Sequence, residues 1–480
     1  MAEDWDISDS SDDVYEEETD DEIEYIPVFV DDEDQNGYGS DTSAAQARTG
    51  KDIQGIPWRG MRLTKEQYRH RRLAQYENYE DVPLSGETAD KKYKQTSKGD
   101  NYYEFFYNSR SVKPTFDHFQ VCTVTFCSFN HVISINCRKK CVQLRNMVWA
   151  TSKHDVYVVS DDSIMHWSSL SQNITEILDF SGHVAPTEKH EGSWLEGFTQ
   201  IRISTLAVKD NFLVAGGSDG ELVCKKLDQE GVSFCTRIIY EDIALTTAIE
   251  IYDAMSGGKH FMTSNNDCGV RVYDMDGFQL VNHFHFPWPV NHASLSPDRK
   301  LIAVVGDHLD GLLVDSSSGK ARTCEYKYIV LPLHFNFVFF FWQRAATVEG
   351  HLDYSFASAW HPDGRIFATG NQDKTCRLWD IRNLATPVSV LKGNMAAIRL
   401  VHFSSDGQFL VAAEAVDFVH VYNAKLNYEK RQEIDFFGEV SGVSLSPDDE
   451  TLYIGVWDPS YSSLLQFNKR HWYGYLDSFV

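Results

Sequence analysis

Four pieces of the carboxy-terminal half share one grammar. They are "LSPDRKLIAVVGDHLDGLLVD" (295–315), "EGHLDYSFASAWHPDGRIFATGNQDKTCRLWD" (349–380), "FSSDGQFLVAAEAVDFVHVYN" (403–423) and "LSPDDETLYIGVWDPSYSSLLQFN" (445–468). Each reads as a strand, a Pro-Asp or Asp-Gly turn, a second strand, a small-residue loop with an Asp, and a third strand. From about residue 145 onward the chain keeps this rhythm of short apolar runs punctuated by Gly, Asp and Pro. A unit of this kind cannot bury its own faces. It is stable only when copies pack against one another, and a period of about 40–45 residues with four short strands points to the blades of a β-propeller.

One unit carries the marks in full: Gly350-His351 opens it and Trp379-Asp380 closes it. On these residues, and on "LRNMVWATSKHDVY", the chain resembles the WD-repeat (transducin-like) propellers, and within them uncharacterised plant and fungal proteins with an acidic amino-terminal extension. The resemblance covers about 50–480 and implies an all-β, seven-bladed propeller. Asp162, Asp219, Asp267, Asp310, Asp373, Asp417 and Asp458 stand at the expected turn between second and third strands, one per blade. His351, Thr369, Asp373 and Trp379 match the family's structural tetrad, in which indole, hydroxyl, imidazole and carboxylate satisfy one another. Elsewhere the pattern departs: Asn394 replaces the His, and Tyr273 and Tyr422 replace the Trp. Those blades must lean on apolar packing.

Net charge is −26, concentrated at the amino terminus. Glu3 to Asp34 holds 17 acidic residues, and the first basic residue is Arg48. Residues 1–50 therefore read as a disordered acidic tail, because like charges repel and little apolar surface is available for burial. Residues 51–100 form a basic segment, with a helix expected from Lys65 to about Tyr76 behind a Thr64/Gln67 capping box. That helix is expected to lie on the main domain or to pair with the acidic tail. It lacks the regular basic stripe of a nucleic-acid binder. The propeller takes 101–480. The tail has no basic start followed by an apolar core, so a cytoplasmic or nuclear protein with reduced thiols is expected.

Two blocks interrupt the rhythm. The run "YIVLPLHFNFVFFFW" (328–342) is broken by Pro332, His334 and Asn336 and falls short of a membrane span. Asp298 and Asp363 lie 65 residues apart, against 43 for Asp363 and Asp406. The excess matches the block 323–344, which reads as an addition between two complete blades. A second block, 121–143, separates "HFQ" from "LRN". Phe-, Leu- and Val-rich runs ending near Gln suit translated introns. A partner loop, or a zinc knuckle from Cys122, Cys127, Cys137 and Cys141, is the alternative. The cysteine spacing lacks tight C-x2-C pairs and turn glycines, so no metal and no cofactor are expected.

No phosphate-cradling loop, nucleophile elbow or H-E-x-x-H pattern is present. The expectation is a non-catalytic scaffold for other proteins, with no nucleic acid or membrane as partner. Partners of a propeller use aromatic and Arg anchors on its loop-ringed face, and by position these are Trp288, Tyr354, Gln372, Arg399 and Trp457. Trp288 and Trp457 could equally cover blade edges. "LWDIR" (378–382) resembles the box by which some WD-repeat proteins dock on the adaptor of cullin-RING ubiquitin ligases. Asp380 and Arg382 would make that contact, in a substrate-receptor alternative; a propeller enzyme is the second alternative.

Overall fold

A computed structural model describes residues 51–70, 81–82, 85, 93, 96–106, 146–319 apart from 161, 240–243 and 256, then 346–458 and 462–471. All of these fall in one unit, Tyr38–Val480. The acidic tail and the blocks 121–143 and 323–344 lie outside the described residues.

Apart from a two-stranded ribbon, His183–Val184 with Phe198–Thr199, the strands build antiparallel blades of four, lettered a to d outward from the axis. Blade 1 spans 148–179, blade 2 203–237, blade 3 246–285, blade 4 290–348 and blade 5 355–392. Blades 6 and 7 share one long strand, Lys430–Leu445. Its first half pairs with Val416–Asn423 as strand d of blade 6, and its second half pairs with Thr451–Trp457 as strand a of blade 7. Inner strands touch in sequence from blade 1 to blade 7, and blade 7 touches blade 1, so the ring is closed. The architecture is the seven-bladed propeller expected from the seven Asp positions; six of them sit between strands b and c, and Asp417 is the second residue of its strand c.

Strand d of blade 7 comes from the other end of the chain. Tyr103–Phe105 pairs antiparallel with Ser463–Lys469. The Gln432 side chain holds this segment, accepting from Tyr102 N at 2.7 Å and Tyr103 N at 2.9 Å and donating to Tyr103 O at 2.6 Å. Just before it, Ser97–Lys98 runs parallel to Lys430 and Arg431 on the edge of blade 6.

The Pro-Asp and Asp-Gly marks are a–b turns closed by a repeated hydroxyl device. In blade 4, Ser296 donates to Asp298 at 2.7 Å and accepts from Leu301 N at 2.9 Å. Ser404 with Asp406 and Ser446 with Asp448 repeat it in blades 6 and 7. In blade 5, His361 stands at the same place. Alternating strand residues then fill the spaces between blades; Val304, Leu410, Val443 and Ile454, for example, are fully buried.

The block 323–344 is flanked by strands c (Gly311–Asp315) and d (Ala346–Val348) of one sheet. It therefore lies inside the c–d connection of blade 4, not between two blades. The turn-to-turn ruler could measure its length but could not say which of three connections held it. Both flanking strands pair without it, so deleting 323–344 should leave thermal stability equal or higher and raise soluble yield. A deletion variant that melts lower would mean that the block supports blade 4.

Candidate partner-binding face

Antiparallel order puts every d–a loop and b–c turn at one end of the ring, here called the upper face. The expected anchors fall at this end: Trp288 and Tyr354 in d–a loops, Gln372 in a b–c turn, Arg399 near the start of a strand a, Trp457 at the end of a strand b. Asp380 and Arg382 lie at a c–d turn on the opposite face.

Burial divides the five anchors. Trp288 is 7% exposed and packs parallel to His308 at 6.2 Å. Its ring covers Gly306, where an added Cβ would sit 2.6 Å from it. Gln372 is 6% exposed, and its backbone N–H donates to Tyr354 O at 2.9 Å. Both are buried and offer a partner little surface in this arrangement. Tyr354, Arg399 and Trp457 remain half-buried. The Arg399 guanidinium lies 5.8 Å from the Phe356 ring centroid, and Trp457 packs beside Val148 and Tyr453.

A cavity of about 500 Å³ runs between the inner strands of blades 1 to 6. Its polar lining includes Glu250, His292, Ser358, Arg399 and His402. Burial pushes the Glu250 carboxyl up to about 7 and the His402 imidazole down to about 4. Glu250 accepts from Leu295 N at 2.9 Å and so links blade 3 to blade 4. His292 and Ser358 are 3.0 Å apart, tying blade 4 to blade 5. Among the described residues no group of three or more His, Cys, Asp or Glu is placed to hold a metal ion.

The blade 5 tetrad is formed. Trp379 Nε1 donates to Thr369 Oγ1 at 2.8 Å, and Thr369 Oγ1 lies 2.7 Å from His351 Nε2. His351 Nδ1 lies 3.2 Å from Asp373 Oδ2. One proton arrangement satisfies all four groups: Nδ1–H donates to the carboxylate and Nε2 accepts from the hydroxyl. Asp373 also accepts from Leu352 N, Thr375 N and Arg377. Burial would raise its carboxyl, but His351, Arg377 and Thr375 outweigh it and hold it at about 2. For His351 burial wins over Asp373, so the imidazole sits below its usual range and is neutral at pH 7.

Blade 6 solves the same problem with different residues. Glu414, fully buried, accepts from the N–H groups of Asn394, Met395 and Ala396 and from His420 Nε2 at 2.7 Å. Here a Glu on strand b and a His on strand c fix the d–a loop that His351 and Asp373 fix in blade 5. The pair was not among the expected site residues, although a Glu and a His on paired strands leave a readable signal in the sequence.

The upper face also carries a segment of the chain's own amino-terminal region. Residues 65–70 are helical and their start is capped reciprocally by Thr64 and Gln67. Lys65 and Arg69 reach Asp435 at 2.7 and 2.6 Å, and Arg69 reaches Asp417 at 3.0 Å. Further along, Ser85 donates to the buried Asp353 of blade 5 at 2.7 Å. The basic helix thus lies on the propeller. The nonlocal pairing of Arg69 with two acids some 350 residues away had no signature in the sequence.

Comparison with known proteins agrees with the fold. The model of the family "WD domain, G-beta repeat" matches residues 342–380. Eukaryotic translation initiation factor 3 subunit I of Anopheles gambiae is 31% identical over 133 residues, 28% of this chain and 38% of that protein. The same subunit of Nematostella vectensis is 26% identical over 169 residues, 35% of this chain and 48% of its own length. An uncharacterized protein of Schizosaccharomyces pombe is 24% identical over 209 residues, 40% and 55% of the two chains. The matched stretches therefore span about half or less of these relatives.

Two consequences are measurable. His351→Ala or Trp379→Phe should destabilise the protein by roughly 1–3 kcal/mol, since each leaves buried partners unsatisfied; unchanged melting in both would show that the network contributes nothing. Because the folded His351 resists protonation, stability should fall as pH drops below about 6.5, where the unfolded imidazole gains its proton. Asp373, depressed when folded, adds a second loss as pH falls from the ordinary carboxylate value of 3.8 towards 2. His351→Gln should flatten the first of these two slopes in a series of melting curves.

Proposed function

Because this chain belongs to the WD-repeat family, we propose that it is a non-catalytic scaffold that holds other proteins together as a subunit of a larger assembly. The observation that carries this reading is the upper face. A rigid ring presents Tyr354, Arg399 and Trp457 at one end, half-buried and of the residue types that dominate protein interfaces. The relatives named as subunits of a translation initiation factor support membership of a multi-protein complex and a site of action in the cytoplasm. A nuclear site is the alternative. Among the described residues no helix is long and apolar enough to cross a membrane. We take residues 1–50 as a solubilising tail, 51–100 as a segment that serves the propeller, and 101–480 as the propeller itself.

The ligase-receptor alternative rests on Arg382, whose side chain is 64% exposed. Its Nε lies 2.9 Å from Asp380, which would have to release it before an adaptor could bind. Affinity purification of the tagged full chain should recover a stable set of partners without ligase adaptors, and Arg382→Ala should leave that set unchanged. Adaptor recovery that disappears in Arg382→Ala would favour the receptor. Partner-free protein that turns over a small molecule would overturn the scaffold.

A further inference from the structure

Residues 51–70 lie on the end of blades 6 and 7 as a bound peptide would. The Asp52 carboxylate folds their start, accepting from Gln54 N and Ile56 N at 2.9 Å each and from the Trp58 indole at 2.6 Å. The Gln54 amide then pairs both ways with the Phe437 backbone, donating to its O at 2.8 Å and accepting from its N at 2.6 Å. Trp58 and Tyr68 flank the Phe437 ring with centroids 5.0 and 6.0 Å away.

Arg69 ends this run in a site made by strand c of blade 6, Val416–Asn423, and by the long strand Lys430–Leu445 that blades 6 and 7 share. Its Nε lies 3.0 Å from Asp417 and a terminal nitrogen 2.6 Å from Asp435 and 3.0 Å from the Phe436 carbonyl. The guanidinium carbon lies 4.4 Å from the Phe418 ring centroid. Two carboxylates, a carbonyl and an aromatic face match a planar fork of donors and do not match an ammonium point charge. Asp417 is fully buried; it also accepts from Gly438 N at 2.8 Å, and Arg69 brings a counter-charge to its other oxygen. The ring does not need this segment for closure, because Tyr103–Phe105 provides that from a separate stretch.

We propose that Asp417, Asp435, Phe418 and the Phe436 carbonyl form an arginine-peptide docking site, which residues 58–70 fill in cis. The partner it fits is a basic segment carrying an arginine next to an aromatic residue, as Tyr68-Arg69 does, and that segment enters by taking the place of the chain's own. The proposal rests on the scaffold reading and assigns it a place and a partner chemistry. Occupation in cis lowers the apparent affinity for a partner by the fraction of molecules with the site open.

The test uses the full chain and, as probe, a fluorescent synthetic peptide of residues 56–72. Arg69→Ala should bind it about tenfold or more tightly than wild type, whose site is filled. Adding Asp417→Asn, or replacing the arginine in the peptide with alanine, should abolish the gain. Lys65→Glu leaves the site's own residues intact, loosens the helix through repulsion with Asp435, and should shift affinity in the same direction even if Arg69→Ala fails to fold. Equal binding by wild type, Arg69→Ala and Lys65→Glu overturns the docking site. In affinity purification, the same partners in the same amounts from wild type and Arg69→Ala would also overturn it while leaving the scaffold intact. Recovery of no partner from either would count against the scaffold itself.

Discussion

The last blade of the ring depends on one short pairing, that of Tyr103–Phe105 with Ser463–Lys469. Every other blade takes its four strands from consecutive sequence; blade 7 borrows its last from the far end of the chain. Without that strand the ring would still meet at its inner strands, but blade 7 would end on an open hydrophobic edge, which invites slippage and association. Three residues make a weak ladder, and the side chains supply the rest. Gln432 bonds three backbone groups at once, Tyr103 buries its ring and donates its hydroxyl to Asp449 O at 3.0 Å, and Phe105 packs on Phe467 at 5.3 Å. Completion of blade 7 is therefore a long-range contact reinforced by packed side chains, and its entropic cost is met once for the whole ring.

Given closure, each blade must still satisfy polar groups where its d–a loop dives into the axis. Blade 5 uses a directional chain that ends on a heavily hydrogen-bonded carboxylate, and blade 6 uses Glu414 and His420. Blade 3 keeps part of the blade 5 pattern: Arg271 bonds Asp267 and Asn265, and Tyr273 takes the Trp position with its ring stacked on Phe261 at 5.0 Å. The departures, expected from the sequence to lean on apolar packing, bring in a different polar network in blade 6 and aromatic packing in blade 3.

Much of the fold was legible because propeller blades are local. Asp at the b–c junction, Ser-x-Asp at the a–b turn and strand alternation all act within about 20 residues, so they leave periodic marks, and the seven Asp positions correspond to seven blades. The tetrad was legible for the same reason, since a family pattern ties it to fixed spacings. What escaped was nonlocal. Whether Trp288 faces a partner or Gly306 depends on the packing of two loops, and the sequence shows an exposed and a buried Trp identically. The position of the 323–344 block escaped because a ruler that measures turn to turn sums over the connections between them.

The same distinction bears on the upper face. Its half-buried Tyr354, Arg399 and Trp457 are the residue types that partners of a propeller use, while the nonlocal contacts of Arg69 cover another part of it. A buried carboxylate such as Asp417 is expensive to maintain unless its counter-charge is always present. A counter-charge carried on the same chain meets that requirement at an effective concentration that a free partner would have to exceed. Selectivity follows from that competition: a partner must offer contacts as good as those of Arg69, Tyr68 and Trp58 together, and a lone basic residue does not. The residues proposed as anchors, Tyr354 and Arg399 on blades 5 and 6 and Trp457 on blade 7, sit on the same end of the ring. A partner large enough to engage them and the Asp417 site together would gain from both, and the cis segment would then act as a filter that admits it and turns away smaller basic ligands.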